Sequence, residues 1–476
     1  MRPAAVLDPA SSTPLHRQIY EQWRRGILTG RFRRGDPVPS TRELALTLQV
    51  SRSTVTEAYD QLIAEGYLET AHGSGTFVCR KLPDELLTAR QVAKQAPPER
   101  VSVRLSPYGS RLTAEYGRPH ASPGTIDFAS GTPDLPHFPF VLWRRLLMRY
   151  LRKPERAIFD YAERSTGDPR LCAEIAAYVS RLRAVRATPE QVIVVNGSQQ
   201  ALDLCARLLL EPGDDIAMEN PGYRGAHRVF TAQGAQLHPL PIDSEGAVVR
   251  QITRPVRLAY VTPSHQLPTG VSMTLARRLE IIAWARQRRA VVIEDDYCSE
   301  YRYSGSPLPS LQGLASDAAV IYIGTFSKIM FPGLRLGYIV APPQLVPAFA
   351  RAKWLADRHT AVLEQAALAD FLSEGHLERH IRRMRRLYGL RREALVESLE
   401  RHFGASAKVF GEAAGMHLMV QFDDERIAQR AAHQRVHLVS ADEYYLTKPP
   451  GNEFVFGFTS IGERTIREGI RRLASG

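Results

Sequence analysis

The sequence predicts a chain of more than one domain. A small N-terminal unit of helices and a hairpin precedes a larger α/β unit with a mainly parallel sheet. Three observations support this fold class. The chain has 476 residues, and single hydrophobic cores rarely exceed about 250–300 residues. Apolar residues recur at helical spacing in the first part, whereas strand-like and helix-like segments alternate in the second. The periodicity fades between the two parts, so we predict domains at 12–80 and 123–476 and a linker at 81–122.

Composition and charge exclude some classes of protein. The apolar fraction of 44% is ordinary for a globular protein, and the sequence lacks the run of about 18 apolar residues that predicts a membrane span. The N-terminal residues lack the apolar stretch of a signal peptide, so we expect a cytoplasmic protein. The net charge of +12 favours a polyanionic partner. The cysteines do not have the spacing of metal ligands, so we predict no metal site and four free thiols: Cys79, Cys172, Cys205 and Cys298.

Three helices and a hairpin are predicted in the first unit. The first helix follows from apolar residues at four-residue steps, namely Leu15, Ile19, Trp23 and Ile27. Ser40 and Glu43 form a capping box that begins the second helix. Ser51 or Ser53 begins the third helix, which ends near Gly66. Two short extended stretches on either side of a glycine-rich turn then predict a two-stranded hairpin.

This arrangement is that of a winged helix-turn-helix, in which the helix beginning at Ser51 is the recognition helix. Its first turn is short and polar, which suits base edges and phosphates in the major groove. A small helical domain used for protein contacts is the alternative. The residues that we expect to contact DNA lie before the recognition helix, in its first turn and at the hairpin tip: Arg42, Ser51, Arg52, Ser53, Thr54, His72 and Gly73.

The first unit resembles the GntR family of bacterial regulators. The matching strings cover nearly the whole unit and lie at 14–20, 39–45, 50–55, 62–68 and 73–78. The resemblance implies that promoter DNA is a partner of this chain.

In the second unit, short apolar runs that predict buried strands lie at 191–195, 215–218, 258–261, 290–293 and 320–323. Helical patterns such as 275–288 lie between them. In sheets of this kind ligands bind outside the carboxyl ends of the strands. We therefore expect the functional residues of this unit to follow the predicted strands.

Lys328 follows the last of these strands, with Ser327 directly before it and Arg335 seven residues later. A lysine amine can form an imine with an aldehyde cofactor, and a hydroxyl and a guanidinium beside it can hold that cofactor's phosphate. Asp295 and Tyr297 follow another strand and point to the same side of an extended segment. They could supply an anion for a pyridine ring nitrogen and a phenol for its ring oxygen. Alternatively, the acidic residue is a helix cap or a loop charge.

Two further strand ends carry candidate binding residues. Ser198 and Gln199 open a helix after a strand, where backbone amides can bind phosphate. Tyr223 follows the next strand and could stack on a flat ring, although core packing is the common role of a lone tyrosine. His265 could contact a cofactor or an effector, or it could be a satisfied structural histidine.

The strings at 196–202, 221–223, 262–266, 294–297, 324–328 and 334–338 resemble fold-type I aminotransferases, and above all the aminotransferase-like domain of MocR-type regulators. The resemblance spans most of 125–465. It implies pyridoxal 5'-phosphate as the cofactor, with Lys328 as the covalent partner and catalytic residue. Asp295 would bind the ring nitrogen, Tyr297 the ring hydroxyl and Tyr223 the ring face. The phosphate would be held by Ser198, Gln199, Ser327 and Arg335.

The sequence departs from the aminotransferase pattern at two places that matter for activity. Leu267 stands where these enzymes have an asparagine before Pro-Thr-Gly. Val455 stands where they have an arginine for the substrate carboxylate, and Arg464 is the nearest downstream candidate.

Two functions follow from the combined domains. The first is a transcriptional regulator that senses a small amine, an amino acid or the cofactor itself. The second is an active aminotransferase with a DNA-binding appendage. The resemblance also implies a homodimer, which would suit two half-sites on one face of DNA.

Overall fold

The computed structural model describes residues 7–71, 75–83, 103–112, 122–153, 155–315 and 319–475. The predicted DNA contacts His72 and Gly73 lie outside these residues. The chain divides into two compact units, Met1–Arg104 and Leu105–Gly476. In the described part of the chain, every helix is too short or too polar to cross a bilayer.

The first unit has the predicted three helices and hairpin. The elements are α1 (Leu15–Leu28), α2 (Thr41–Leu48), α3 (Arg52–Ala64), β1 (Leu68–Ala71) and β2 (Gly75–Val78). The two strands are antiparallel, and Leu68 pairs with Val78. The predicted winged helix-turn-helix is confirmed.

Local sequence signals and a small apolar core explain why the helices of this unit form and pack together. Both halves of the capping box between Ser40 and Glu43 are formed. Of the two candidate caps for α3, Ser51 is the one used, because its side chain accepts a hydrogen bond from the Thr54 backbone N–H at 3.2 Å. The buried Trp23 stacks on Phe32 with ring centroids 4.4 Å apart.

The second unit alternates helices and strands. Its helices are α4 (Pro107–Arg111), α5 (Phe140–Arg152), α6 (Arg156–Phe159), α7 (Pro169–Arg183), α8 (Ser198–Leu209), α9 (Arg224–Gln233), α10 (Leu275–Arg288), α11 (Leu311–Leu314), α12 (Val346–Asp357), α13 (Val362–Ser373), α14 (His376–Phe403), α15 (Ile427–His433) and α16 (Glu463–Ala474). Its strands are β3 (Ile126–Asp127), β4 (Val192–Val195), β5 (Asp215–Asn220), β6 (Gln236–Asp243), β7 (Gly246–Ala247), β8 (Leu258–Val261), β9 (Val291–Asp296), β10 (Val320–Thr325), β11 (Gly337–Val340), β12 (Ala407–Phe410), β13 (His417–Phe422), β14 (Val436–His437), β15 (Val439–Ser440) and β16 (Glu453–Gly457).

The large sheet has the order β4-β11-β10-β9-β8-β5-β6-β7. Neighbours from β10 through β9, β8 and β5 to β6 are parallel, whereas β11 is antiparallel to both β10 and β4. The predicted mainly parallel sheet is confirmed. The carboxyl ends of β5, β8, β9 and β10 therefore lie along one edge of the sheet, where the sequence places its candidate residues.

A second, antiparallel sheet of order β12-β13-β16-β15 forms the C-terminal part of this unit. Its core includes Phe422, Phe454 and Phe456, together with apolar residues of α14 and α16. Within the predicted linker 81–122, only residues 81–83, 103–112 and 122 are described. There, Arg111 donates a hydrogen bond to the Ala232 carbonyl at 2.8 Å, so α4 packs against α9.

Candidate cofactor and DNA sites

Lys328 lies three residues beyond the end of β10, at the carboxyl edge of the large sheet. Its Nζ donates a hydrogen bond to the Gly131 carbonyl oxygen at 2.7 Å. Gly131 belongs to the segment between β3 and α5, far away in sequence. The amine is half-buried, and it is held by a backbone carbonyl that a competing ligand can replace.

Asp295 is the penultimate residue of β9 and is 4% exposed. Its Oδ2 accepts a hydrogen bond from the Tyr260 hydroxyl at 2.7 Å, while its Oδ1 is buried and has no hydrogen-bond partner. Burial raises the pKa of Asp295 to about 6, and the Tyr260 hydrogen bond opposes this rise. A cationic or N–H donor placed at Oδ1 would satisfy the carboxylate and restore its charged form.

Three buried polar atoms without hydrogen-bond partners belong to predicted cofactor-binding residues at the carboxyl ends of the adjacent strands β9 and β10. Besides Asp295 Oδ1, they are the hydroxyl of Tyr297 and the hydroxyl of Ser327, next to Lys328. Leaving a buried polar group unsatisfied costs about 1–3 kcal/mol. Several such groups beside one amine are therefore typical of a ligand site.

The candidate phosphate-binding loop precedes α8, which begins at Ser198. Gly197 has a φ of +84°, a conformation that favours glycine. The Arg335 guanidinium donates to the Asn196 carbonyl at 2.9 Å, and its Nη2 lies 2.9 Å from where a Gly197 β-carbon would be. The structure thus brings Arg335 and the first turn of α8 together, so that one phosphate could bind both.

Gln199 and Tyr223 contact each other. The Tyr223 hydroxyl donates to Gln199 Oε1 at 3.2 Å, and Gln199 Nε2 donates to the Gly225 carbonyl at 3.2 Å. The Gln199 side chain therefore ties the start of α8 to the start of α9. The predicted roles of Gln199 at the phosphate and of Tyr223 at the ring face stay predictions.

His265 is buried against a second histidine. Its ring centroid is 4.7 Å from that of His417 and 6.2 Å from that of Tyr297. Neither of its ring nitrogens has a hydrogen-bond partner, and burial holds its pKa well below the ordinary value. The two interpretations of His265, a contact to a ligand or a structural role, both stay predictions.

Sequence reasoning missed Glu219, a fully enclosed carboxyl at the carboxyl end of β5. Its Oε2 accepts hydrogen bonds from the backbone and hydroxyl of Thr262 and from Gln266 Nε2, while its Oε1 has no partner. Burial raises the pKa of Glu219 to about 7, and Asp295 adds to the rise by charge repulsion. Its place at a strand end, just before Pro221, was the available signal.

We predict that Glu219→Gln stabilises the protein above neutral pH. A carboxyl whose pKa rises from 4.5 when unfolded to about 7 when folded destabilises the fold as pH increases through that interval. Removing its charge should therefore add about 2–3 kcal/mol to the free energy of unfolding at about pH 8 and nothing below about pH 4. Urea denaturation of the cofactor-free protein at both pH values measures this difference. Glu425→Gln, at an exposed carboxyl, is the control, and an equal gain in both variants would contradict the prediction.

Val455, which stands where aminotransferases have an arginine, and the candidate substitute Arg464 have clear positions. Val455 is buried in β16, and its side chain packs with Met419 and Ala441. Arg464 lies exposed in the first turn of α16, among surface arginines that include Arg467. The structure therefore does not bring Arg464 into the group around Lys328.

On the first unit, the described DNA-contact candidates cluster at the start of α3 and α2. Arg42, Ser51, Arg52 and Ser53 are exposed. The Arg52 Nε donates to the Thr41 hydroxyl at 3.3 Å, which ties the first turns of the two helices together. The Ser51 hydroxyl serves mainly as the helix cap and contacts the hydroxyls of Ser53 and Thr54.

The comparisons with known proteins match both units. The model of the family "Aminotransferase class I and II" matches residues 124–460, and that of "Bacterial regulatory proteins, gntR family" matches residues 15–78. The chain is 42% identical over 475 residues to the probable rhizopine catabolism regulatory protein MocR of Rhizobium meliloti, covering 99% of this chain and 95% of that protein. It is 32% identical over 464 residues to the HTH-type pyridoxine biosynthesis transcriptional regulator PdxR of Corynebacterium glutamicum, covering 97% and 96%.

Among solved structures, LysN from Thermus thermophilus, an α-aminoadipate aminotransferase complexed with N-(5'-phosphopyridoxyl)-L-leucine, is 29% identical with a TM-score of 0.70. The match covers 78% of this chain and 96% of LysN. Fold and site thus define a transcriptional regulator with an aminotransferase-like domain. The chain belongs to the MocR-type regulators, in which a GntR-family DNA-binding unit precedes an aminotransferase class I and II domain.

Proposed function

We propose that this regulator binds pyridoxal 5'-phosphate through Lys328 and changes its action on promoter DNA when an amine or amino-acid effector enters the same site. The observation that carries the proposal is the set of buried, unpartnered oxygens of Asp295, Tyr297 and Ser327 at the carboxyl ends of β9 and β10, the edge of the sheet at which Lys328 also lies. This set fits a flat, polar, phosphorylated ring better than an apolar or a metal ligand.

Each group has a place in this proposal. Asp295 Oδ1 would accept from the ring nitrogen, and the Tyr297 hydroxyl would donate to the ring oxygen. The phosphate would lie between Ser327, Arg335 and the first turn of α8, where backbone amides and a positive dipole end attract anions. When bound, the cofactor supplies an aldehyde that reacts with amines.

Three relatives support the proposal. LysN holds a phosphopyridoxyl group attached to an amino acid, and its sheet has the same fold as the second unit here. PdxR is by name a regulator of pyridoxine biosynthesis, which suggests sensing of the cofactor itself. MocR is by name a regulator of rhizopine catabolism, which suggests that another small molecule is the effector.

Lys328 is the group whose state an effector would change. In this structure the Lys328 amine donates a hydrogen bond to the Gly131 carbonyl. Covalent engagement of the amine would replace that contact. A ligand must favour one state by about 5.5 kcal/mol to move an equilibrium from 1:99 to 99:1, and exchange at Lys328 would supply part of this difference.

Visible absorbance of the full-length protein with added cofactor tests the proposal. We expect a new absorption band that borohydride abolishes while leaving an adduct on Lys328. We also expect that one or more amines from a panel change both the band and the affinity for promoter DNA. Colourless protein with no adduct would refute the proposal. A change of DNA affinity with cofactor alone would identify the cofactor as the signal.

Transamination is the second candidate, because Lys328 and Asp295 are also the groups that such an enzyme needs. The buried Val455 and the remote Arg464 count against it, since neither offers a cation to a substrate carboxylate in the group around Lys328. Steady turnover of an amino acid and a keto acid, at about 1 per second or more, would favour the enzyme.

We further propose that the protein is a homodimer. A group of exposed apolar side chains lies on and just before α5: Leu135, Phe140, Val141, Met148 and Leu151. Contiguous apolar surface of this kind usually marks an interface. The Val141 side chain is 74% exposed, so Val141→Glu should lower the mass measured by light scattering toward that of one chain. If the wild-type protein and Val141→Glu have the same mass, this face is not the interface.

A further inference from the structure

A buried ion pair lies behind the candidate phosphate-binding loop. The Lys353 side chain is fully enclosed, and its Nζ donates to Asp357 Oδ1 at 2.5 Å. Both residues lie in the last turns of α12. Burial lowers the pKa of Lys353, and the Asp357 carboxylate opposes that change. A buried cation is costly unless it is paired and hydrogen-bonded, so this pair fixes Asp357 in one position.

The other oxygen of Asp357 holds the loop. Asp357 Oδ2 accepts hydrogen bonds from Asn196 Nδ2 at 2.6 Å and from Gln200 Nε2 at 2.8 Å. Gln200 Oε1 in turn accepts from the Asn196 backbone N–H at 2.8 Å. Hydrogen bonds to a charged acceptor are about twice as strong as neutral ones. Two side chains of the loop and of the first turn of α8 are therefore anchored on one carboxylate.

Asn196, one of the two anchored residues, also contacts the predicted phosphate ligand Arg335. The Asn196 carbonyl accepts from Arg335 Nη2 at 2.9 Å, so both backbone polar groups and the side-chain amide nitrogen of Asn196 are engaged. Gly197 follows directly, and the Arg335 Nη2 lies 2.9 Å from where its β-carbon would be. A displacement of Asn196 would therefore move Arg335 and the backbone amides of the Ser198 turn together.

We propose that Asp357, held by Lys353, is a positioning residue that sets the geometry of the phosphate-binding loop and of Arg335. Its side-chain hydrogen bonds run to Lys353, Asn196 and Gln200, at the phosphate end of the proposed site. Its effect is therefore specific to the phosphate group of the ligand. This inference rests on the proposed function, because it assigns the phosphate end of the same site.

The test compares two ligands that differ only in the phosphate, pyridoxal 5'-phosphate and pyridoxal. Both are titrated into the full-length wild-type protein and into Asp357→Asn. An asparagine has one acceptor oxygen instead of two, so its NH2 group must face either the Lys353 ammonium or the amide donors of Asn196 and Gln200. The negative charge that strengthens these hydrogen bonds is also lost, so the anchor of the loop is weakened. We expect the Kd of pyridoxal 5'-phosphate to rise about tenfold, and that of pyridoxal by less than about twofold. Asp203→Asn is the matched control, since Asp203 forms an ion pair with Arg207 on the same helix, α8.

The outcomes separate this inference from the proposed function. Failure of the wild-type protein to bind pyridoxal 5'-phosphate would overturn the proposed function. The positioning role alone would be overturned if the wild-type protein binds pyridoxal 5'-phosphate but Asp357→Asn loses affinity for both ligands equally. No loss of affinity in Asp357→Asn would also overturn it. If Asp357→Asn fails to fold, Gln200→Met is the second variant, because it removes the two hydrogen bonds that the Gln200 side chain forms with Asp357 and with the Asn196 backbone N–H. We then expect a rise of about threefold for pyridoxal 5'-phosphate alone, and an equal change for both ligands would again overturn the inference.

Discussion

Lys328→Ala should abolish the visible absorption band, the borohydride-stable adduct and the response of promoter binding to amines. The amine of Lys328 is the only group of this side chain that can bond covalently to an aldehyde, and alanine has no substitute for it. DNA affinity without effector should change by less than about twofold, because the residue lies in the second unit, whereas the predicted DNA contacts belong to the first. Absorbance, mass spectrometry of the reduced protein and fluorescence anisotropy with labelled DNA measure these three results.

Lys408→Ala is the matched control, because Lys408 is an exposed lysine of the small sheet whose ammonium lies over the Phe410 ring. It should retain the band, the adduct and the response. If Lys328→Ala keeps its response to amines, the covalent switch is refuted, even if the wild-type protein binds the cofactor. A loss of DNA binding in Lys328→Ala would instead indicate that the amine stabilises the DNA-competent form by its contact with Gly131.

Arg52→Ala should weaken binding to a selected DNA site by about 1–3 kcal/mol, which corresponds to about 5- to 150-fold. Arg52 is exposed in the first turn of α3, and its contact with Thr41 aims the guanidinium along the surface that helix-turn-helix proteins present to the major groove. The probe is a DNA fragment that the wild-type protein selects from a random-sequence pool. Anisotropy titrations at two salt concentrations give the affinity and its salt dependence.

Substitutions of Arg42 and Arg17 provide a comparison and a control for this experiment. Arg42 is expected to contact a phosphate, so Arg42→Ala should weaken binding to all sequences alike and lower the salt slope by about 1. Arg17→Ala is the control, since Arg17 forms an exposed ion pair with Glu21 on α1. Equal losses for Arg52→Ala and Arg17→Ala would contradict the assignment of α3 as the recognition helix.

Much of the fold could be predicted because its signals are local. The capping box at Ser40 and the apolar steps from Leu15 to Ile27 need only a few neighbouring residues to be recognised. The short apolar runs that form β4, β5, β8, β9 and β10 are likewise continuous in sequence. The choice between Ser51 and Ser53 as the cap of α3 was not determined locally, because both hydroxyls have the right spacing. The observed hydrogen bond from the Thr54 N–H decides it.

The candidate site could be predicted in its residue types but not in its contacts. Lys328, Asp295 and Arg335 were found because they follow strands and carry distinctive chemistry. The carbonyl of Gly131 could not be predicted as the partner of Lys328, since any backbone carbonyl has the same chemistry. The role of Asp357 could not be predicted either, because an aspartate at the end of a helix is ordinary until its partners are known.

The amino-acid sequence by itself determined the two kinds of domain and the chemical groups available to them, because helix, strand and motif signals extend over only a few residues. The tertiary structure alone decided which of these groups lack partners. It leaves one oxygen each of Asp295, Glu219 and Tyr297 buried and unsatisfied, and it joins Asn196 to Asp357 across 161 positions of the chain. Burial and long-range hydrogen bonds depend on how distant segments pack, and no local pattern encodes that packing.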